Sequence, residues 1–323
     1  MSEKMKIAVV IPSYKVKNQI LSVISNIGKE VFRIYVVDDK CPENSGEFVQ
    51  KNCKDKRVKV LFHKVNQGVG GAMVTGYKQA IDDEVTIVVK IDGDGQMDPH
   101  LLKFFIKPIL DGQADYTKGN RFFNLEFLRK MPPLRIFGNA GLSLVSKISS
   151  GYWDVMDPTN GYTAIHTNVL KVLQLEKIDK RYFFESDMLF RLNTIRALVF
   201  DIPMIAKYED EKSNLKVSRI LFEFPLKHLN RFFKRIFYNY ILRDFNFGTL
   251  NLFFGLALIL FGASFGIYNW MYSYRVGQSS PTGTIMLSTL LIILGFQMLL
   301  FFVNYAMMNV PKKAIHIVLE KWK

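Results

Sequence analysis

At 323 residues with 49% of them hydrophobic, the chain has material for one large domain or two smaller ones with a proper core. The net charge of +14 would suit a nucleic acid, yet the basic residues crowd into 207–243, where they alternate with Phe, Leu and Ile; that placement fits attraction to an anionic lipid surface and sets nucleic acid aside. Cys41 and Cys53 lack a CxxC spacing and the five histidines are scattered, which argues against a disulfide scaffold and a zinc site.

Met1 to Lys6 run directly into the strand pattern IAVVIP without a leader-type apolar core, so residues 1 to about 245 are expected to stay in the cytoplasm. A helix pattern follows at about 17–29, then the strand IYVVDD, a helix near 45–53, the strand VKVLFH, a helix over 70–82 and the strand TIVVKID. Continuous apolar strands interleaved with helices predict a mostly parallel α/β sheet covered on both faces, which binds its ligand beyond the strand C-termini. The polar clusters fall at those ends: Pro12 to Tyr14, Asp38 and Asp39, Asn66 to Gly71, and Asp92 to Gln96. Four such ends predict one crevice.

A helix over 98–112, a strand and loop at DYTKGNRF and an amphipathic helix over 133–150, carrying Arg135, Asn139 and Lys147, come next. DPTNGYTAI leads into a helix ending near 174, and RYFFESDMLFRLN begins another near Glu185. Residues 216–243 read as one or two amphipathic helices broken near Pro225, suited to a membrane interface.

No charge occurs from Phe245 to Tyr274 or from Val276 to Pro311. Each stretch exceeds the roughly 20 apolar residues needed to cross a bilayer, which predicts spans at about 249–271 and 284–308. Arg231, Lys234, Arg235 and Arg243 precede the first span, Lys312, Lys313, Lys321 and Lys323 follow the second, and Arg275 alone lies between; both termini should face the cytoplasm. The chain thus divides into an α/β domain (1–215), juxtamembrane helices (216–245), a two-span hairpin (246–310) and a basic tail (311–323). Gly255, Gly262, Gly266 and Gly295 permit close helix packing, and with it a homo-oligomer.

The fourth strand end reads KIDGDGQMDP, which crowds more carboxylates than a turn requires. Asp92 and Asp94 flank a glycine, so both carboxylates can reach one hard divalent cation while the glycines admit a diphosphate to the backbone. Mg²⁺ or Mn²⁺ bridging a nucleotide diphosphate is the natural occupant.

With IPSY (11–14), VVDD (36–39), NQGVGGA (66–72) and DGDGQ (92–96), the sequence resembles glycosyltransferase family 2, of GT-A fold. KGNRF (118–122), PTNGYTA (158–164) and the two spans make it most similar to the polyprenyl-phosphate branch. The resemblance implies that Pro12, Tyr14, Asp38, Asp39, Asn66, Gly68 and Gly71 hold the nucleotide-sugar, with Asp92, Asp94 and Gln96 on nucleotide and metal. It also implies that Arg121, Arg135 and Asn139 meet the lipid phosphate; Ser213 and Lys216 are the candidates left in the acceptor segment, where YEDEKSN (208–214) lacks the branch's Arg and Gly. Tyr14-Lys15-Val16-Lys17 replaces the family's Tyr-Asn-Glu-Glu, and DGDGQ replaces DADLQ.

The expected reaction moves one sugar from a UDP- or GDP-sugar to a polyprenyl phosphate at the cytoplasmic membrane face, with inversion. Asp94 and Arg121 would serve it, and Asp157 and Asp187 are candidates to orient the sugar or take a proton. An acceptor phosphate is already ionised and needs no base. Transfer to a hydroxyl of a lipid-linked oligosaccharide would need Asp157 or Asp187 as base, and a non-catalytic membrane scaffold is the alternative from another class.

Overall fold

The computed structural model describes residues 5–123, 133–205 and 217–321, apart from the side chains of 133–135 and 217–222. The chain separates into two compact units, Met1–Phe232 with Pro311–Lys323, and Phe233–Val310.

The first unit is built on a seven-stranded sheet of order β3-β2-β1-β4-β6-β5-β7. Strands β1 (Ile7–Ser13), β2 (Arg33–Asp38), β3 (Val58–Phe62) and β4 (Ile87–Lys90) are mutually parallel, as their apolar runs predict. Ala8 to Ile11, Ile34 to Val37 and Ile87 to Val89 are buried, so β1, β2 and β4 are covered on both faces. The connecting helices are α1 (Ile20–Ser25), α2 (Ser45–Asn52) and α3 (Val69–Asp82). The first is shorter than expected, because residues 17–19 form a turn.

Beyond β4 come α4 (Leu102–Leu110), β5 (Tyr116–Asn120), α5 (Pro133–Ser150), β6 (Thr163–His166), α6 (Thr167–Val172), α7 (Phe184–Thr194) and β7 (Val199–Pro203). Strand β6 lies antiparallel between β4 and β5, and β7 closes the edge parallel to β5. Neither β6 nor β7 stands out in the sequence. The antiparallel strand brings the turn before it, Pro158 to Gly161, back to the C-terminal end of β4.

Helix α8 (Val217–Ile236) is continuous through Pro225. A proline inside a helix removes one backbone donor and crowds the preceding turn. Here Phe224 and His228, on either side of it, both pack edge-on against Phe183 with centroids 5.4 and 4.8 Å away, and this packing carries the helix across the expected break. The tail also belongs to this unit. Asp115, fully buried at the start of β5, accepts from the backbone N–H groups of Leu198, Ile315 and His316 and pairs with His316 Nδ1 at 2.8 Å, seating α11 (His316–Glu320).

The second unit contains α9 (Phe247–Val276) and α10 (Thr282–Met308), with mean hydropathies of 2.1 and 2.4 in their most apolar windows, of which 17% is buried. Core helices would be covered; these are long, apolar and bare, as membrane helices are. Asn246 caps α9 reciprocally with Thr249, and Gly277 at φ +68° ends it. The small residues are used within the hairpin. A Cβ on Gly295 would stand 2.7 Å from the Gly255 carbonyl, and Ser288 Oγ donates to the Gly262 carbonyl at 2.8 Å.

Candidate active site

The four strand ends do converge. They border a cavity of about 670 Å³ lined by Pro12, Ser13 and Tyr14 after β1, Asp39 after β2, Asn66 and Gly68 before α3, and Asp92 to Asp94 after β4. Asn139 and Leu142 of α5, Thr159 and Gly161 before β6, Arg181, Tyr182 and Glu185 around the start of α7, and Phe224 of α8 also line it.

Asp39 organises one end. Its Oδ1 accepts from the Gln67 N–H and pairs with His63 Nδ1, both at 2.7 Å, while Oδ2 accepts from the Gly68 N–H at 2.7 Å. The buried carboxylate thereby pins the glycine-rich loop that opens α3. Gly68 sits at φ +86° with the Lys180 carbonyl 2.5 Å from where a Cβ would be, so only glycine fits there. Asp38 instead braces the loop after β2. Its oxygens accept from the Cys41 and Gly46 N–H groups at 2.8 and 2.6 Å, and it does not line the cavity. Gly71 likewise serves the fold, donating its N–H to the Lys180 carbonyl at 3.1 Å inside α3.

The acidic turn is built around a lysine. Lys90 ends β4 with its side chain 1% exposed, and its Nζ lies 2.8 Å from Asp92 Oδ1 and 3.3 Å from Glu185 Oε1. Burial alone would lower its pKa, but the two carboxylates outweigh burial and raise it, so the ammonium is permanent at neutral pH. Gly161 is what allows this approach: a Cβ there would fall 2.5 Å from Lys90 Nζ and 2.8 Å from Asp92 Oδ2. Asp94 Oδ1 accepts from the Gln96 N–H at 3.0 Å, so Gln96 supports the second carboxylate with its backbone.

Among the described residues, no three His, Cys, Asp or Glu side chains gather into a metal cage. Asp92 and Asp94 nevertheless fit a hard divalent ion: both face the cavity, both offer oxygen, and the glycine at 161 leaves space beside Asp92. One or two carboxylates, completed by phosphate and water oxygens, are the usual protein share for Mg²⁺.

Asp157 and Asp187, the candidates to orient the sugar or to take a proton, are both held in ion pairs. Asp157 is fully buried and gripped bidentately by Arg121, with Nε at 2.7 Å from Oδ2 and Nη2 at 2.9 Å from Oδ1. Burial would raise its pKa, but the guanidinium overrides burial and holds it below the usual carboxylate range. A carboxylate so paired is a poor base. Asp187, equally buried, receives Arg191 Nε at 2.8 Å, Arg231 Nε at 2.5 Å and the Asp179 N–H at 2.8 Å, which ties α7 to α8 and to the loop before it. Neither Asp157 nor Asp187 lines the cavity, nor does Arg121. The side chains of Arg135, Ser213 and Lys216 lie outside the described residues.

Lys90, Thr159, Arg181 and Tyr182 line the cavity without having stood out as site residues in the sequence, and of the two carboxylates that open α7, Glu185 borders the cavity and Asp187 does not. A signal existed for Lys90: a lysine closing an otherwise apolar strand demands a buried counter-charge.

The family profile of glycosyl transferase family 2 matches residues 8–173. The chain is 29% identical over 224 residues to the UDP-N-acetylglucosamine–dolichyl-phosphate N-acetylglucosaminyltransferase of Methanococcus voltae, an alignment covering 65% of this chain and 88% of that one. It is 27% identical over 240 residues to the dolichol-phosphate mannosyltransferase of Pyrococcus furiosus, covering 71% and 64%. It is also 27% identical over 221 residues to the undecaprenyl-phosphate mannosyltransferase of Micrococcus luteus, covering 66% and 88%. Glucosyl-3-phosphoglycerate synthase from Mycobacterium tuberculosis, solved with Mn²⁺, UDP and glucosyl-3-phosphoglycerate, matches with a TM-score of 0.52 at 16% identity over 72% of this chain and 80% of that one, which shows a shared GT-A fold.

Proposed function

Because the chain belongs to glycosyl transferase family 2, we propose that this glycosyltransferase moves a single sugar from a nucleoside-diphosphate sugar to a polyprenyl phosphate at the cytoplasmic face of a membrane. The observation that carries the reading is one cavity joining the acidic turn of β4 to the Asp39 loop, in a chain that also holds two bare apolar helices. The names of the relatives point the same way.

In this reading Pro12, Tyr14, Asp39 and the loop at Asn66 and Gly68 hold the nucleoside, and Asp92 and Asp94 hold the divalent ion, Mg²⁺ or Mn²⁺. When bound, that ion neutralises the diphosphate and stabilises it as a leaving group. Lys90 pairs with Asp92 and Glu185 and fixes them in place, so the turn is preorganised before substrate arrives. Arg121, oriented by Asp157, and Asn139, from the cavity wall, receive the acceptor phosphate together with Arg135.

A phosphate oxygen of the lipid attacks the anomeric carbon, the bond from that carbon to the diphosphate breaks, and its electron pair leaves with the diphosphate. The configuration inverts. The acceptor is already an anion, so no proton has to be removed. Transfer to a sugar hydroxyl loses support, since it requires a base and both aspartates offered for it are ion-paired.

The test uses the full chain in nanodiscs with labelled UDP- and GDP-sugars, Mn²⁺, and undecaprenyl or dolichyl phosphate. Label should pass to a lipid with one phosphorus and one sugar. Label appearing only on a lipid-linked oligosaccharide would overturn the reading. A reporter at Ser279, between the helices, should be accessible from the non-cytoplasmic side alone.

A further inference from the structure

A glycine-rich loop that opens a helix ordinarily cradles phosphate, because its free N–H groups point at the anion. In this chain the N–H groups of the loop before α3 are used internally. Those of Gln67 and Gly68 donate to Asp39 and that of Gly71 donates to the Lys180 carbonyl, while the Asp179 carbonyl stands where a Cβ on Gly70 would be. A diphosphate arriving at this helix end meets carbonyl oxygens where it needs donors.

The charges on the cavity wall sharpen the problem. Asp39, Asp92, Asp94 and Glu185 line it, against Lys90 and Arg181. Asp39 has His63 as its partner, and Lys90 is shared between Asp92 and Glu185. Arg181 is different: among the described residues its guanidinium has no carboxylate partner, and it donates from Nη1 to Asn66 Oδ1, a neutral amide oxygen, at 3.1 Å. Its other N–H donors are left for a ligand. The side chain is exposed but its base is fixed. The Arg181 N–H donates to Asp179 Oδ1 at 2.9 Å, and Lys227 Nζ holds the other oxygen of that carboxylate at 2.7 Å. The stem lies against Gly68, where a Cβ would come 3.3 Å from Arg181 Cδ, and Asn66 is turned toward it by donating its own amide to the backbone carbonyl of Asp39 at 3.0 Å.

We propose that Arg181 binds a phosphate of the donor's nucleoside diphosphate, supplying the donors and the positive charge that the glycine loop has spent on its own chain. The proposal rests on the donor reading above and adds to it a residue that the sequence motifs do not mark. A guanidinium fork suits two phosphate oxygens at once. The acceptor's phosphate offers the same chemistry, but the stem on Gly68 and the bond to Asn66 both place Arg181 on the loop pinned by Asp39, at the nucleoside end.

The experiment is isothermal titration calorimetry on the full chain in nanodiscs with Mn²⁺, using UDP and GDP and, by competition, uridine and guanosine. Arg181→Gln keeps a donor for Asn66 and removes the charge. It should weaken whichever diphosphate the parent binds by about ten- to hundred-fold, leave the matching nucleoside within about twofold, and leave the ligand-free Tm unchanged; Arg181→Lys should recover part of the loss. Equal affinity of parent and Arg181→Gln for the diphosphate overturns the proposal alone, and a raised KM for polyprenyl phosphate in that same variant would assign Arg181 to the acceptor instead. An equal loss for diphosphate and nucleoside means that Arg181 merely shapes the loop, and also overturns it. A parent chain that binds neither UDP nor GDP overturns the donor reading and the proposal with it.

Discussion

Replacing Asp157 with Asn separates a buried structural ion pair from a catalytic base. The carboxylate is fully buried and takes Arg121 through two short bonds, while Arg121 remains about a quarter exposed. Breaking such a pair from one side costs about 3–5 kcal/mol, because the remaining charge stays partly dehydrated. For a unit of this size that corresponds to a Tm lower by roughly 10 °C, and the neutral amide, which can still accept one bond, places Asn toward the mild end. The sign with pH follows from the depressed pKa: the pair's contribution is complete above the ordinary carboxylate value and is lost as pH falls through the lower folded value. The Tm deficit of Asp157→Asn should therefore stay constant over about pH 6 to 8 and shrink only in strong acid. Differential scanning fluorimetry in detergent gives the Tm, and a cycle with Arg121→Gln should show the double variant recovering much of the loss. Initial rates should show a higher KM for the lipid acceptor with the shape of the pH–rate profile intact. An unchanged Tm together with a kcat loss of roughly 10²–10⁴ and a vanished acidic limb would refute this reasoning and restore Asp157 as a base.

Asp94→Asn should abolish transfer with little change in Tm, since it removes charge from a crowded turn and opens no core; residual metal-dependent turnover above about 1% of the parent rate would contradict the account. Lys90→Met leaves Asp92 and Glu185 without their shared counter-charge, so it should destabilise the first unit by about 3–5 kcal/mol in denaturant titrations, while Mn²⁺ titrated by EPR binds more tightly. Lys118, fully buried beneath the cavity turn with its pKa lowered to about 8 by burial, opposes folding whenever it must be charged. Stability relative to Lys118→Met should thus rise as pH increases from about 8 toward the unfolded lysine value near 10, and a flat difference across that range would show that burial does not shift this group.

The half of the fold that was legible in the sequence is the half whose signals are local. Strands β1 to β4 are runs rich in Val and Ile, and their polar ends declare the crevice without any knowledge of the partners. Strands β6 and β7 escaped because TAIH and VFDIP are short and mixed in polarity, and their place in the sheet is set by neighbours distant in sequence. The same limit governed the site. Asp39, Asp92 and Asp94 line the cavity where the chain puts them, whereas the surroundings of Asp157 and Asp187 depend on Arg121 and Arg231, 36 and 44 positions away, and Lys90 meets Glu185 across 95 positions. Sequence spacing reported carboxylates at those positions, and only the packing reported that their charge is already matched. Helix α5 shows the converse. Its amphipathic pattern was plain, but which face is bare depends on what α7 and α8 cover.

The central claim is that a phosphate oxygen of the lipid becomes the glycosidic oxygen. Polyprenyl phosphate carrying ¹⁸O on its non-bridging oxygens, incubated with the full chain, Mn²⁺ and the nucleotide-sugar that supports transfer, tests it directly by mass spectrometry of the lipid product. The account predicts a product with one phosphorus, one added sugar and every ¹⁸O retained, one of them bonded to the anomeric carbon after fragmentation. A product with two phosphorus atoms, or an anomeric carbon bonded only to ¹⁶O, would contradict it.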